Sequence, residues 1–196
     1  GVVADVIIGC ASQLNEQGAN PARVAALRAG WGHQVPGMMV NRFCASGIDA
    51  VATAAARVKA GDADLVVAGG VETVSRVPIF SDGGPLWTDP ETITDVGSIH
   101  MGVAADLNAT LDGYAREDLD AYGVRSQQRA AQAWSAGRFD NAVIPVPRAG
   151  GEDMAADELV RPSTNLASQA ALAPAFADLG AAGQDAIALG AFPELA

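Results

Sequence analysis

An α/β fold with parallel strands is what the first part of this chain predicts, on three observations. Apolar runs bounded by turn residues alternate with Ala-rich helical stretches from Val3 to Ala68, in the order strand, helix, strand, helix, strand. The run Asp64–Ala68 (Asp-Leu-Val-Val-Ala) lacks the polar/apolar alternation of a half-exposed strand, so it reads as covered by helices on both faces. After Gly69-Gly70 this grammar stops, and the remainder of the chain reads as a separate region.

Taken in order, Val3–Cys10 reads as a buried strand and Asn15–Asn20 as a polar loop. Asn20-Pro21 is a helix start, with Asn as N-cap and Pro at the first helical position. The expected apolar face of that helix is Val24, Leu27 and the neighbouring alanines, and Gly30 closes it. Met38–Phe43 is a second strand. Ser46–Ala60 is a helix with Ile48, Val51, Ala52, Ala55 and Val58 at helical spacing, stopped by Gly61. Asp64–Ala68 is the third strand. Gly69-Gly70 reads as a tight turn, because no G-x-G-x-x-G pattern and no Walker lysine make it a phosphate cradle. Residues 79–99 show no period and read as an excursion from the sheet. Arg116–Gly137 is helical, with Glu117, Asp118 and Asp120 early and Arg138 just past its end, which suits the helix dipole. Asn141–Pro147 reads as a short strand edged by proline, and Ala149–Asp157 as an acidic turn. Beyond Phe176 the chain is Ala/Gly-rich and weakly patterned.

Composition bounds the function. With 49% hydrophobic and 18% charged residues the chain is an ordinary soluble globular sequence, and with 5% aromatics its core is built from Ala, Val, Leu and Ile. No apolar run approaches the roughly 20 residues that span a bilayer, and no basic segment leads an apolar stretch as in a signal peptide. No membrane association is expected. Cys10 and Cys44 make no disulfide framework, which fits a reducing, cytoplasmic setting. Net charge is −11, and Lys59 is the only lysine. Such a chain repels a phosphate backbone, so nucleic acid is excluded as a partner. An anionic ligand held by a local arginine and backbone N–H groups is still allowed. Two separated histidines and two separated cysteines lack metal-ligand spacing, so no metal is expected. A three-stranded parallel sheet and a first residue other than Met raise the expectation of a fragment, or of a chain read in part.

The candidate for chemistry is Cys44, in Asn41-Arg42-Phe43-Cys44-Ala45-Ser46-Gly47, between a strand and a long helix. A helix mouth presents unpaired N–H groups and a positive dipole end, a setting that favours the thiolate form of a cysteine. The small residues after it let a bulky substrate approach the backbone. The competing reading is a buried structural thiol. Cys10, in an apolar strand, reads as core, and His33 as solvated in a connecting loop. His100 has two readings, a satisfied structural histidine or a substrate-site residue. Trp31, Trp87 and Trp134 are too scattered for a stacking platform.

Residues 36–78 resemble the thiolase family, the acyl-CoA:acetyl-CoA C-acyltransferases. Asn41-Arg42-Phe43-Cys44-Ala45-Ser46-Gly47 is similar to its nucleophile motif. Gly61-Asp62-Ala63-Asp64, then Val66-Val67-Ala68-Gly69-Gly70-Val71-Glu72-Thr73-Val74-Ser75, is similar to its strand and Gly-Gly-x-Glu-x-x-Ser element. Gly18-Ala19-Asn20-Pro21-Ala22-Arg23 and Ile99-His100-Met101-Gly102 extend the likeness. So do Tyr114–Asp120, Gly137-Arg138-Phe139, Asp157–Arg161 and Leu172–Phe176, so that it runs from about Val6 to Phe176. Order and spacing together make it specific.

The resemblance implies a thiolase-like fold, a layered α-β-α arrangement with a mixed sheet, here incomplete. Residues 1–76 would be part of the N-terminal half carrying the nucleophile. Residues 77–196 would be the loop domain on the CoA-binding side, with the tail after 176 unassigned. It implies Cys44 as the nucleophile that accepts the acyl group, its own N–H serving the oxyanion. Met101 and His100 would flank the acyl group, Arg161 would lie near the CoA nucleotide, and Ser168, Ala175 and Phe176 along the pantetheine arm. Coenzyme A enters as substrate; no resident cofactor is implied. Partners would be acyl-CoA, CoA and further copies of the chain, as a homodimer or homotetramer. Arg42-Phe43 before the cysteine is closer to the degradative 3-ketoacyl enzymes of lipid breakdown than to the acetoacetyl-specific ones. A Claisen-condensing biosynthetic enzyme, or a non-catalytic acyl-CoA-binding module of the same fold, are the alternative readings. The family's second half carries Asn-Glu-Ala-Phe, Gly-His-Pro and Cys-x-Gly-Gly elements that are not in this sequence, and where Thr-Ala-Gly-Asn is usual this chain has Ala181-Ala182-Gly183-Gln184-Asp185. These residues therefore hold the nucleophile without its acid/base partners, and turnover by them alone is not expected.

Overall fold

A computed structural model describes residues 2–195. The chain divides into two compact units, Gly1–Ile93 and Thr94–Ala196.

The first unit is a three-stranded parallel sheet of β1 (Asp5–Gly9), β2 (Gly37–Val40) and β3 (Val66–Gly70), in the order β2-β1-β3. Antiparallel pairing that would make the sheet mixed is not among the described residues. Successive side chains of a strand point to opposite faces, and β1 uses both. Val6 packs with Ala22, Ala26 and Val35 on the side of α1 (Pro21–Arg28). Ile7 packs with Ala50 and Ala54 of α2 (Ser46–Lys59). This is the layered α-β-α arrangement. The strand buried on both faces is β1, not the Asp64–Ala68 run: β3 starts later, is half-buried, and lies outside β1 in the sheet. Gly69-Gly70 is correspondingly strand rather than turn, paired with Ile8 and Gly9.

Both helices meet the sheet through alanine, which corrects the apolar faces expected from spacing. Ala22 and Ala26 are buried in α1, while Val24 and Leu27 are exposed. Ser46, Ala50 and Ala54 are buried in α2, while Ile48 is 75% and Val51 55% exposed. The physical reason is close approach. A Cβ on Gly37 of β2 would lie 2.5 Å from Arg23 N at the start of α1. One on Gly9 of β1 would lie 2.6 Å from Gly47 N at the start of α2. Helices seated this tightly have room only for small residues beneath them. The helix ends match the sequence reading. Asn20 caps α1 by accepting from Arg23 N at 3.2 Å, and Gly30 and Gly61 leave α1 and α2 with φ of +73° and +75°. The buried Asp5 is satisfied by Arg57 of α2, which also holds Asp62 at 2.6 Å. Two short helices, α3 (Pro85–Thr88) and α4 (Pro90–Asp95), fill the excursion.

The second unit is helical. α5 (Met101–Leu111) and α6 (Arg116–Ser135) are its longer elements, followed by α7 (Leu166–Ala170), α8 (Ala177–Leu179) and α9 (Asp185–Ala191). The Arg116 guanidinium donates to the carbonyls of Gln169 and Leu172 at 2.8 and 3.1 Å, tying α6 to the end of α7. Asn141–Pro147 forms no strand: it contributes one antiparallel bridge, Val146 to Met154, across the acidic turn. Its apolar residues Ile144 and Val146 are exposed, so no sheet face rewards an extended ladder there.

Candidate active site

Parallel strands bring their C-terminal ends to one edge, the usual place for chemistry in open α/β sheets. Here that edge is laced together. Cys10 N donates to Val40 O, and Val71 N to Gly9 O, both at 3.0 Å. Beyond Val40 the chain turns through residues 41–45 into α2. Asn41 organises this turn: its Oδ1 accepts from Phe43 N at 2.9 Å, and its Nδ2 donates to Ala11 O at 3.0 Å. Phe43 is held at φ +48°, a costly conformation for a residue with a Cβ. Ser46 closes the turn, its hydroxyl donating to Phe43 O at 2.5 Å and accepting from Arg42 N at 2.8 Å. Arg42 in turn pairs with Asp49 at 2.6 Å. Cys44 stands two residues ahead of the first residue of α2 and is exposed. Exposure removes the buried-thiol reading, and the helix start supplies the positive end of a dipole.

Cys10 has the opposite surroundings. It is buried, and burial followed by the nearby Glu72 charge pushes its thiol above its ordinary value. Glu72 lies just past β3 and gathers donors. Ala11 N reaches its Oε2 at 2.9 Å and Gln17 Nε2 its Oε1 at 2.7 Å, with the Cys10 thiol 3.9 Å from Oε2. Partial burial opposes the Glu72 charge, but the hydrogen bonds from Gln17, Ala11 and Ser12 outweigh it and hold the carboxyl below the ordinary carboxylate value. The buried Gln17 also accepts from Thr73 N. Sequence patterns alone do not single out Glu72, Gln17 and Asn41 as individuals. The available signal is the Gly-Gly-x-Glu order itself, which sets the carboxylate just beyond the strand end.

Beside the Cys44 turn, Phe43 meets the edge of Trp87 at 6.0 Å between centroids, and Trp87 lies 4.5 Å from Phe80. Scattered in sequence, Trp87 becomes in the fold the middle of an aromatic cluster.

The other six sequence-predicted residues lie in the second unit. His100 caps α5, its Nδ1 accepting from Gly102 N at 3.1 Å, so a neutral ring carries its proton on Nε2. Its ring lies 5.1 Å from that of Phe176. Phe176 also covers Gly102, where any Cβ would strike the ring. His100 and Phe176 are thus brought together, with Met101 between His100 and Gly102 in the chain and 53% exposed. Ala175 is exposed next to Phe176. Ser168 forms a reciprocal cap with Asn165 at the start of α7: its N donates to Asn165 Oδ1 at 3.0 Å, and its hydroxyl accepts from Asn165 N at 3.0 Å. Arg161 is exposed and anchored through its backbone, N to Gln127 Oε1 at 2.7 Å. Among the described residues no group of three or more His, Cys, Asp or Glu is placed to hold a metal, and no helix is long and apolar enough to cross a membrane.

Comparison with known proteins gives the family. The family described as "Thiolase, N-terminal domain" matches residues 1–185. A β-ketoadipyl-CoA thiolase from Pseudomonas knackmussii is 40% identical over 87% of this chain and 47% of its own length. An acetyl-CoA acetyltransferase from Cupriavidus necator is 38% identical over 91% of this chain and 49% of its own. The crystal structure of the Bacillus anthracis acetyl-CoA acetyltransferase superposes with a TM-score of 0.74 at 30% identity, over 89% of this chain and 48% of that one. The chain spans about half the length of these relatives. It belongs to the thiolase family and matches that family's N-terminal domain.

Proposed function

We propose that this chain supplies the acyl-accepting half of a thiolase reaction, with Cys44 as nucleophile. The observation that carries the reading is the exposed Cys44 thiol on an Asn41-braced turn at the start of α2, in a chain of this family. The Cys44 thiolate adds to the keto carbonyl of a 3-ketoacyl-CoA, and the backbone N–H of Cys44 is one donor to the resulting oxyanion. The carbon–carbon bond next to that centre breaks, leaving the acyl group on sulfur and releasing the enolate of acetyl-CoA, which takes a proton. The thiol of a second CoA then removes the acyl group and regenerates Cys44. Splitting one difficult cleavage across a covalent intermediate is what a thiolate nucleophile achieves. Protonating that enolate calls for an acid from sequence elements that these residues do not include, so the step expected of them alone is acyl transfer to Cys44 from a thioester such as acetyl-CoA, where a thiolate leaves and no carbanion forms.

His100 and Met101 flank the acyl group in this reading, Arg161 serves the nucleotide, and Ser168, Ala175 and Phe176 the pantetheine arm. The exposure of Met101, Arg161, Ser168 and Ala175 is compatible with those roles. CoA and acyl-CoA are the small-molecule partners, self-association into a dimer or tetramer is the assembly, and the cytoplasm the compartment. The degradative direction is the primary reading; relatives named acetyl-CoA acetyltransferase keep the condensing direction as the second.

The test is to incubate the purified protein with acetyl-CoA, quench in acid and map the peptides. One acetyl group on Cys44, lost in Cys44→Ser, is the expected result. Acyl-CoA binding with no adduct at Cys44 would instead mark a non-catalytic binding module.

A further inference from the structure

We propose that Glu72 is a positioning residue for Cys44, acting through the Ala11 peptide and the Asn41 side chain. The inference rests on the reading of Cys44 as nucleophile. The path is short and continuous. Glu72 Oε2 accepts from Ala11 N at 2.9 Å; the carbonyl of the same residue, Ala11 O, accepts from Asn41 Nδ2 at 3.0 Å; and Asn41 Oδ1 accepts from Phe43 N at 2.9 Å. Phe43 immediately precedes Cys44 and sits in the left-handed region, so something must hold it there. Glu72 therefore fixes the Ala11 segment from one side while Asn41 reads that segment from the other.

The donors gathered at position 72 favour an anion there. Ala11 N–H, Gln17 Nε2–H, Ser12 and the Cys10 S–H are all donors to it, and a carboxylate accepts from all of them without carrying a proton of its own. An amide there can accept at one end only, and its NH2 end faces either Ala11 N–H or Gln17 Nε2–H with a second donor. Gln17 offers no relief by turning over, because its Oε1 already accepts from Thr73 N and its Nε2 already donates to Ser12 O at 2.8 Å. The three segments after β1, β2 and β3 are thus joined through two side chains, Glu72 and Asn41, that meet on the Ala11 peptide, and the Cys44 turn is the segment that carries the reacting atom.

The test is the rate of Cys44 alkylation by iodoacetamide, with peptide mapping across a range of pH. Compared are the unaltered protein, Glu72→Gln, Glu72→Asp, Asn41→Ala and the Glu72→Gln/Asn41→Ala pair. Arg57→Ala is the control, since it loosens the Asp5 ion pair away from this path. Glu72→Gln and Asn41→Ala should each slow Cys44 by roughly tenfold at neutral pH and displace its pH–rate profile, because a loosened turn no longer holds the sulfur at the positive start of α2. The double variant should be no slower than either single one, because both act through one peptide. Glu72→Asp, which keeps the charge, should recover part of the rate and stands in if Glu72→Gln does not fold. Arg57→Ala should lower the melting temperature and leave the Cys44 rate in place. An unchanged rate and profile in Glu72→Gln, multiplying effects in the double variant, or an equal loss in Arg57→Ala would overturn the proposal. Slow, unselective labelling of Cys44 in the unaltered protein would overturn the nucleophile reading itself, and the proposal with it.

Discussion

Cys10 and Cys44 lie just past neighbouring parallel strands of one sheet, yet the fold treats them oppositely. Cys10 is enclosed beside a carboxylate, and its thiol is pushed up by burial and by the Glu72 charge. Cys44 is two residues from a helix start, exposed, and held by hydrogen bonds to its neighbours rather than to its sulfur. The difference lies not in the strands but in the segments that leave them. After β1 the chain bends into a buried polar cluster around Gln17; after β2 it turns directly into α2, which Gly9 allows to sit against β1. One sheet edge thus yields a buried thiol and an exposed one, and the buried one is part of the frame.

The sharpest way to break this contrast is to remove the nucleophile. Cys44→Ser should reduce acyl transfer by about a thousandfold or more while leaving the melting temperature nearly unchanged, as loss of a covalent nucleophile does. Comparing initial acylation with circular dichroism melting checks it.

Gly9→Ala and Ile7→Ala test the frame. A Cβ at Gly9 would meet the Ser46 carbonyl and Gly47 N, both backbone, so the start of α2 must move. About 3 kcal/mol of destabilisation is expected, together with loss of the Cys44/Cys10 difference in alkylation. Ile7→Ala removes a fully buried side chain between β1 and α2 and should cost about 3 kcal/mol without altering which cysteine reacts. Ile48→Ala, on the 75% exposed side of α2, should stay within about 0.5 kcal/mol. Denaturant unfolding compares all three.

The pH dependence of stability separates the two surroundings further. Glu72 has a folded-state value below its unfolded one, so its contribution is present above the ordinary carboxylate value of about 4.3 and is lost as pH falls through the folded value. Cys10 has a raised value, so its contribution is present below the ordinary thiol value of about 8.5 and is lost as pH rises through the folded value. Melting temperature should therefore fall at both ends of the range. Glu72→Gln should flatten the acid limb and Cys10→Ser the alkaline one. Solvent reaches Glu72, so the acid effect is the smallest of those expected.

Much of the first unit is legible in the sequence. Strand–helix alternation, the Asn20-Pro21 start and the closing Gly30 and Gly61 are local signals, and local signals survive folding. Helix faces are not legible: spacing marks Ile48, Val51 and Val58 as inward, whereas Gly9 of β1 lets the start of α2 sit so close that small residues, Ser46, Ala50 and Ala54, lie beneath it. A glycine's use as a seat for a distant helix leaves no periodicity to read. The start of α5 escapes sequence reading for a related reason: its N-cap is His100, outside the usual Ser, Thr, Asp and Asn set. Cys44 is legible because its motif is contiguous. The Glu72–Ala11–Asn41 path is not, because it joins three segments far apart in the chain and half of it is backbone.

The most direct measurement of the central claim is competitive alkylation of the unaltered protein: limiting iodoacetamide at neutral pH, with the label quantified at each cysteine. Rapid labelling confined to Cys44, with Cys10 modified only on unfolding, is the result this account predicts. Equal, slow labelling of both would contradict it.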